Sequence, residues 1–160
     1  MLTASIQANG QRNGDKIVQI RAATGEDVPA LVDLGMHFLG TVYRSVIVPD
    51  PAALERLARQ LIEGEASTVI VAERDGAVIG MIGMVIFVHP MSGIRTASEV
   101  CWFVAEGSRG CGMKLFRAAE VWARDHQAEQ FQMVAPSPAV ARVYQRLGFA
   151  PVEQLFQRSV

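Results

Sequence analysis

Residues 106–120 read EGSRGCGMKLFRAAE. Gly110 and Gly112 are separated by one residue, flanked by Arg109 and Lys114, and stand where an amphipathic helical pattern begins. Glycine inside a helix costs roughly 1 kcal/mol relative to alanine. Two of them at a helix start form either an ordinary basic turn or a place where the backbone must approach something that a Cβ would obstruct. The flanking sequence bears on the choice.

Upstream, SEVCWFV (98–104) alternates as a strand, and downstream the apolar spacing predicts a helix from about Met113 to His126. Working outward towards the N-terminus, TVIVAE (68–73), the turn RDG and AVIGMIGMVIFV (77–88) predict a hairpin, with Asp75-Gly76 as the two-residue turn. Residues 77–88 are apolar on both faces, which predicts a central strand covered by helices. Before the hairpin lie two helical patterns. One is capped by Thr24 and carries Leu31, Leu34, Met36 and Phe38; the other is opened by Asp50-Pro51 and carries Leu54, Leu57, Leu61 and Ile62. IVQIRA (17–22) is a first strand, EQFQMVA (129–135) a further one, SPAVARVYQRLGF (137–149) a short helix and EQLFQRS (153–159) a closing strand. The order β-α-α-β-β-β-α-β-α-β predicts an α/β fold: a mixed, mostly antiparallel central sheet with helices on both faces.

A chain of 160 residues, 50% hydrophobic and 19% charged, fits one globular domain over 17–160, preceded by a flexible leader at 1–16. A net charge of -1 gives no general reason to expect nucleic acid or an anionic membrane. Cys101 and Cys111 make neither a disulfide framework nor a zinc site, and His37, His89 and His126 are scattered, so no metal is expected. The leader lacks the apolar core of a signal peptide, and 77–88 is too short to span a bilayer, which together read as a cytoplasmic protein.

Between a strand and a helix, the glycine stretch has the makings of a diphosphate cradle. Helix N-termini expose unpaired N–H groups and carry partial positive charge, and Arg109 and Lys114 add counter-charge. The stretch does not supply the P-loop pattern G-x-x-x-x-G-K-[ST]. It also comes late, after an antiparallel hairpin, which disfavours a dinucleotide-binding βαβ unit.

The order of elements and two motifs together resemble the GNAT superfamily of N-acetyltransferases over about residues 17–160. The family's acyl-CoA loop follows Q/R-x-x-G-x-G/A, and its last helix commonly carries Y-x-x-x-G-[FY]; YQRLGF places Tyr144, Gly148 and Phe149 in that second pattern. In the first, counting back from the helix puts Gly110 and Gly112 on the glycine positions, whereas counting forward from the strand puts Arg109 on the Q/R position. The loop is two residues shorter than the pattern.

The resemblance implies acetyl-CoA as cosubstrate, held by the main chain of Phe103 and Val104 and by Arg109, Gly110, Cys111, Gly112, Met113 and Lys114, with Ser137 capping the last helix nearby. It implies direct transfer to the primary amine of a small molecule or peptide. The resemblance also implies Glu99 as general base, its proton affinity raised by Val100 and Trp102, and Tyr144 as the acid for the departing thiolate. Cys111 is a loop residue and not a nucleophile. In this fold the acceptor meets 36–50 and 89–95, which offer His37, Tyr43, Arg44, His89 and Arg95, with no acidic wall of the kind a polycation needs. A non-catalytic acyl-CoA-binding module of the same fold is the alternative. Homodimerisation is common in the family, and Phe156 on the closing strand is a candidate seam.

Overall fold

The computed structural model describes residues 17–43 and 47–158. The leader at 1–16, Arg44 in the connector, and the last two residues lie outside the described residues. The β-branched, alternating segments form strands β1 (Gln19–Ala22), β2 (Ser67–Arg74), β3 (Ala77–Val88), β4 (Arg95–Val104) and β5 (Gln130–Gln132). The helices are α1 (Val28–Val42), α2 (Pro51–Glu63), α3 (Cys111–Asp125) and α4 (Pro138–Arg146). Sheet order follows chain order, β1-β2-β3-β4-β5; the first three pairings are antiparallel and β4–β5 is parallel. β3 is therefore central, as its two-sided apolar sequence predicts.

The hairpin turn forms because Asp75 (φ 54°) and Gly76 (φ 78°) both take the left-handed conformation that a tight two-residue connection requires. Period-two alternation on β2 then divides the core. Val69 and Val71 face Leu31, Ala58 and Leu61 of α1 and α2, while Ile70 and Ala72 face Leu115 and Ala119 of α3. Helices thus cover both faces of the sheet.

At the start of the chain, a 3-10 turn over Gly25–Asp27 precedes α1. Asp27 accepts two hydrogen bonds from the Arg21 guanidinium (2.7 and 2.8 Å) and one from the Thr24 N–H (2.7 Å). Arg21 also donates to Glu73 at 2.8 Å. The Arg21 guanidinium, held between the Asp27 and Glu73 carboxylates, therefore fastens β1 to the entry of α1 and to β2. The Arg21 hydrogen bonds hold its carboxyl well below the usual range, at about 2.

β4 contains the irregularity that matters most. Met84 pairs with Glu99 and Gly83 with Cys101, so Val100 is an extra residue, a β-bulge. Bulges bend a strand and re-aim its side chains. Pairing of β4 with β5 covers only Thr96–Ser98 against Gln130–Gln132. From Glu99 to Val104, β4 has no partner on that edge among the described residues, and the two strands part.

The expected closing strand is corrected here. Residues 153–158 form no strand, and Leu155 and Phe156 are 93% and 86% exposed. β5 is three residues long and offers too short an edge to hold a seven-residue partner. β4 also begins at Arg95, earlier than the predicted Ser98, and α3 begins at Cys111 instead of Met113.

Candidate active site

The site is built where β4 and β5 separate, with the first turn of α3 above it. Helix N-termini are usually closed by a side chain, and two here are: Asp50 accepts from the Ala52 N–H of α2, and Ser137 from the Val140 N–H of α4. α3 is not. Its N-cap is Gly110, at φ 80°, with no side chain to accept a first-turn amide. A side chain at this φ would be strained, and one long enough to cap would occupy the approach to those amides. Arg109 and Lys114 are exposed beside this end and form no ion pair among the described residues. The Cys111 N–H donates to the Ser108 carbonyl (3.3 Å) and the Lys114 N–H to the Gly110 carbonyl (3.4 Å), which leaves the Gly112 and Met113 N–H groups of the first turn; with the helix dipole and two unneutralised cations they favour an anion.

Below it lies a cleft of about 320 Å³. α1 contributes Phe38, Val42 and Tyr43 at its end; β4 contributes Glu99, Trp102, Phe103 and Val104; Gly112, Val134, Pro136 and Val140, Val143 and Tyr144 of α4 complete the wall. Trp102 stacks between Phe116 (5.8 Å between ring centroids) and Tyr144 (6.1 Å, planes 15° apart), so the phenol is fixed against an aromatic slab.

Glu99 and Tyr144 meet through one residue. The Val134 N–H donates to Glu99 Oε2 at 3.0 Å, and the Tyr144 hydroxyl donates to the Val134 carbonyl at 3.3 Å. Burial pushes the Glu99 carboxyl up from 4.5 to about 7, against the opposing pull of the Val134 amide. Burial, and secondarily the Glu99 charge, hold the Tyr144 phenol well above its ordinary 10. The Tyr43 phenol is raised for the same two reasons. Glu99 thus sits near the operating pH of a general base, and Tyr144 stays protonated, as a donor must.

The cleft brings together Glu99, Phe103, Val104, Gly112 and Tyr144. Arg109, Gly110, Met113 and Lys114 lie on the turn above. One expectation changes. Cys111 is the first residue of α3, not of the loop, with its side chain 1% exposed in the core and 3.9 Å from Arg74 Nη2. Only its main chain faces the anion site. Ser137 caps α4 as expected, its hydroxyl oxygen accepting from the Val140 N–H at 3.3 Å.

Among the residues expected near an acceptor, Tyr43 lines the cleft. Arg95 instead donates to the His126 carbonyl at 2.7 Å, and His89 accepts from the Met91 N–H at 3.3 Å. His37 lies against Phe103 in a neighbouring cavity of about 330 Å³ that Asp33 and Glu106 also line. Sequence reasoning missed Phe38 and Val42, whose four-residue spacing on α1 was the available signal, and the Val134 peptide, which acts through its main chain and leaves no signal.

A family model described as "Acetyltransferase (GNAT) family" matches residues 37–149. The chain belongs to the GNAT family. No curated protein matches it. Solved GNAT-fold structures do. One described as a predicted acetyltransferase with acetyl-CoA from Clostridium acetobutylicum is 17% identical, covers 89% of this chain and 96% of its own, and has a TM-score of 0.75. A transcriptional regulator from Bacillus halodurans is 21% identical over 90% and 100%, with a TM-score of 0.74. An aminoglycoside N-acetyltransferase in complex with CoA is 18% identical over 90% and 95%, with a TM-score of 0.69. At these identities the likeness shows the GNAT fold, and the family match shows that acetyl transfer is the chemistry to test against this cleft. No described helix is long and apolar enough to cross a membrane.

Proposed function

We propose that this GNAT protein moves an acetyl group from acetyl-CoA directly onto a primary amine. The observation that carries the reading is the attachment of Glu99 and Tyr144 to opposite ends of the Val134 residue, below a helix start left uncapped. The Gly112 and Met113 amides of the Gly110–Lys114 turn, with the Arg109 and Lys114 side chains, take the diphosphate. The open β4 edge at Phe103 and Val104 offers main-chain groups to the amides of the pantetheine arm, in the manner of an added strand.

Acetyl-CoA supplies the acetyl group as a thioester. An alkylamine with a pKa of about 10.4 is mostly charged at neutral pH, so Glu99 first takes a proton from the ammonium, directly or through water. The freed nitrogen lone pair forms the C–N bond, the C–S bond breaks, and Tyr144 gives its hydroxyl proton to the departing sulfur. The acetylated nitrogen then gives its surplus proton to the Tyr144 phenolate, directly or through water, and Glu99 releases its own proton to solvent. No cysteine is among the described residues lining the cleft, and burial pushes the thiol of Cys101, on the same strand, up to about 12, which keeps it protonated.

The test is thermal denaturation with saturating acetyl-CoA, followed by release of free CoA in the presence of amines. A raised Tm and amine-dependent CoA release support the proposal. An unchanged Tm overturns it, and a raised Tm with amine-independent thioester stability points to the non-catalytic binding module.

A further inference from the structure

The cleft states more about its acceptor than that it carries an amine. Of the side chains lining it among the described residues, Glu99 is the single charged one. The rest of the wall is aromatic or aliphatic, its other polar side-chain groups being the phenols of Tyr43 and Tyr144 and the indole N–H of Trp102. The apolar surface continues outward from α1, where Val42 is 40% exposed. Ile47, whose N–H bonds the Tyr43 carbonyl at 2.9 Å, is also 40% exposed, and Val48 beside it is 91% exposed. An apolar body seated against such side chains gains from removing their surface from water. With a volume of about 320 Å³, the cleft is at the small end for ligand sites, and the thioester arm takes part of it.

Resting on the acetyltransfer reading above, we infer that the acceptor is a small apolar primary amine bearing one positive charge, of the arylalkyl or branched alkyl kind, and not a polycation. The argument is one of charge count. Glu99 pairs with one ammonium, the one that is to be acetylated. A second ammonium on the same molecule meets aliphatic and aromatic groups with nothing to replace its lost water, a heavy penalty. An aromatic or branched hydrocarbon body instead gains from burial against Phe38 and Val42. Asp33 and Glu106 are the competing carboxylates, but they line the neighbouring cavity, which shares Phe103 with the cleft, and not the cleft that holds Glu99.

The test compares phenethylamine, spermidine and kanamycin as acceptors at saturating acetyl-CoA, by CoA release and product mass. Phenethylamine is expected to exceed both polycations in kcat/KM by at least about 100-fold, the discrimination that leaving a second ammonium unpaired produces. In Val42→Glu, an exposed helical position, the added carboxylate should narrow that ratio by about tenfold or more in favour of spermidine. Preference for spermidine or kanamycin in the native protein overturns the inference and assigns the second charge to Asp33 and Glu106. A raised Tm with acetyl-CoA but no turnover of phenethylamine also overturns it, while leaving acetyl-CoA binding in place. If acetyl-CoA leaves the Tm unchanged, the acetyltransfer reading fails and this inference with it.

Discussion

Replacing Glu99 with Gln separates the stability and the activity of this protein in opposite directions. The carboxyl is raised from 4.5 to about 7 because its charged form loses water in the cleft. A folded-state pKa above the unfolded one means that the native protein binds this proton more tightly. The corresponding stability is complete below about pH 4.5 and is lost as pH rises through about 7. At about 1.4 kcal/mol per tenfold change in proton affinity, the displacement amounts to roughly 3 kcal/mol, and water entering the half-buried cleft reduces it to about 2 kcal/mol. Glutamine keeps an oxygen for the Val134 N–H and removes the charge. At pH 8.5 and without ligand, Glu99→Gln should be more stable than the native chain by about 2 kcal/mol, or ~4–8 °C in Tm. At pH 4.5 the two should melt together. Acetyl transfer at pH 7 should fall by about 10²–10⁴-fold, since the base is gone. Melting curves from pH 4.5 to 9 beside initial rates read both. Parallel Tm profiles across that range would show that Glu99 is not desolvated, and an unchanged rate would remove it from the chemistry.

The remaining predictions concern the acid, the anion site, the pH profile and the frame. Tyr144→Phe keeps the ring on Trp102 and loses the proton, so kcat should drop by about 10²–10⁴-fold while the acetyl-CoA Kd from calorimetry changes little. Gly110→Ala introduces a Cβ with nothing within 4 Å, so its cost is conformational, about 1 kcal/mol from the φ of 80°. It should weaken acetyl-CoA by several-fold as the turn relaxes, read by the same titration. The native kcat/KM should rise with pH through about 7 as Glu99 deprotonates, and a flat profile between pH 6 and 8 would contradict its role. Asp27→Asn should destabilise the fold at pH 7 by roughly 1–2 kcal/mol in urea. The deficit should fade as pH falls through about 2, because a depressed carboxyl stabilises above its unfolded pKa of 3.8 and loses that advantage on protonation.

The hairpin and the central strand were legible because their cause is local. Asp75-Gly76 requires left-handed backbone, and the unbroken apolar run of β3 makes sense only if both faces are covered. Tyr144 was singled out by its motif, Glu99 by its place on the strand before the loop and Gly110 by its cost at a helix start; the cleft brings the first two together. The closing strand was not legible. Alternation in 153–159 says that the segment is able to pair, whereas pairing needs an edge, and β5 has only three residues to offer. The Val134 contacts were hidden for another reason: they use a peptide N–H and C=O that every residue but proline possesses. Likewise, the bulge at Val100 depends on register with β3, a long-range property.

The peptide groups flanking Val134 give the two proton-transfer residues a common mount. A shift of the 133–136 segment would lengthen the Glu99 and Tyr144 contacts in the same motion, so loss of the proton acceptor and loss of the proton donor would not be independent events. Substitutions of Pro136, which stiffens that segment without touching either residue's bonding atoms, should therefore move both limbs of a pH–rate curve together, as a loosened hinge pin moves both leaves of a door.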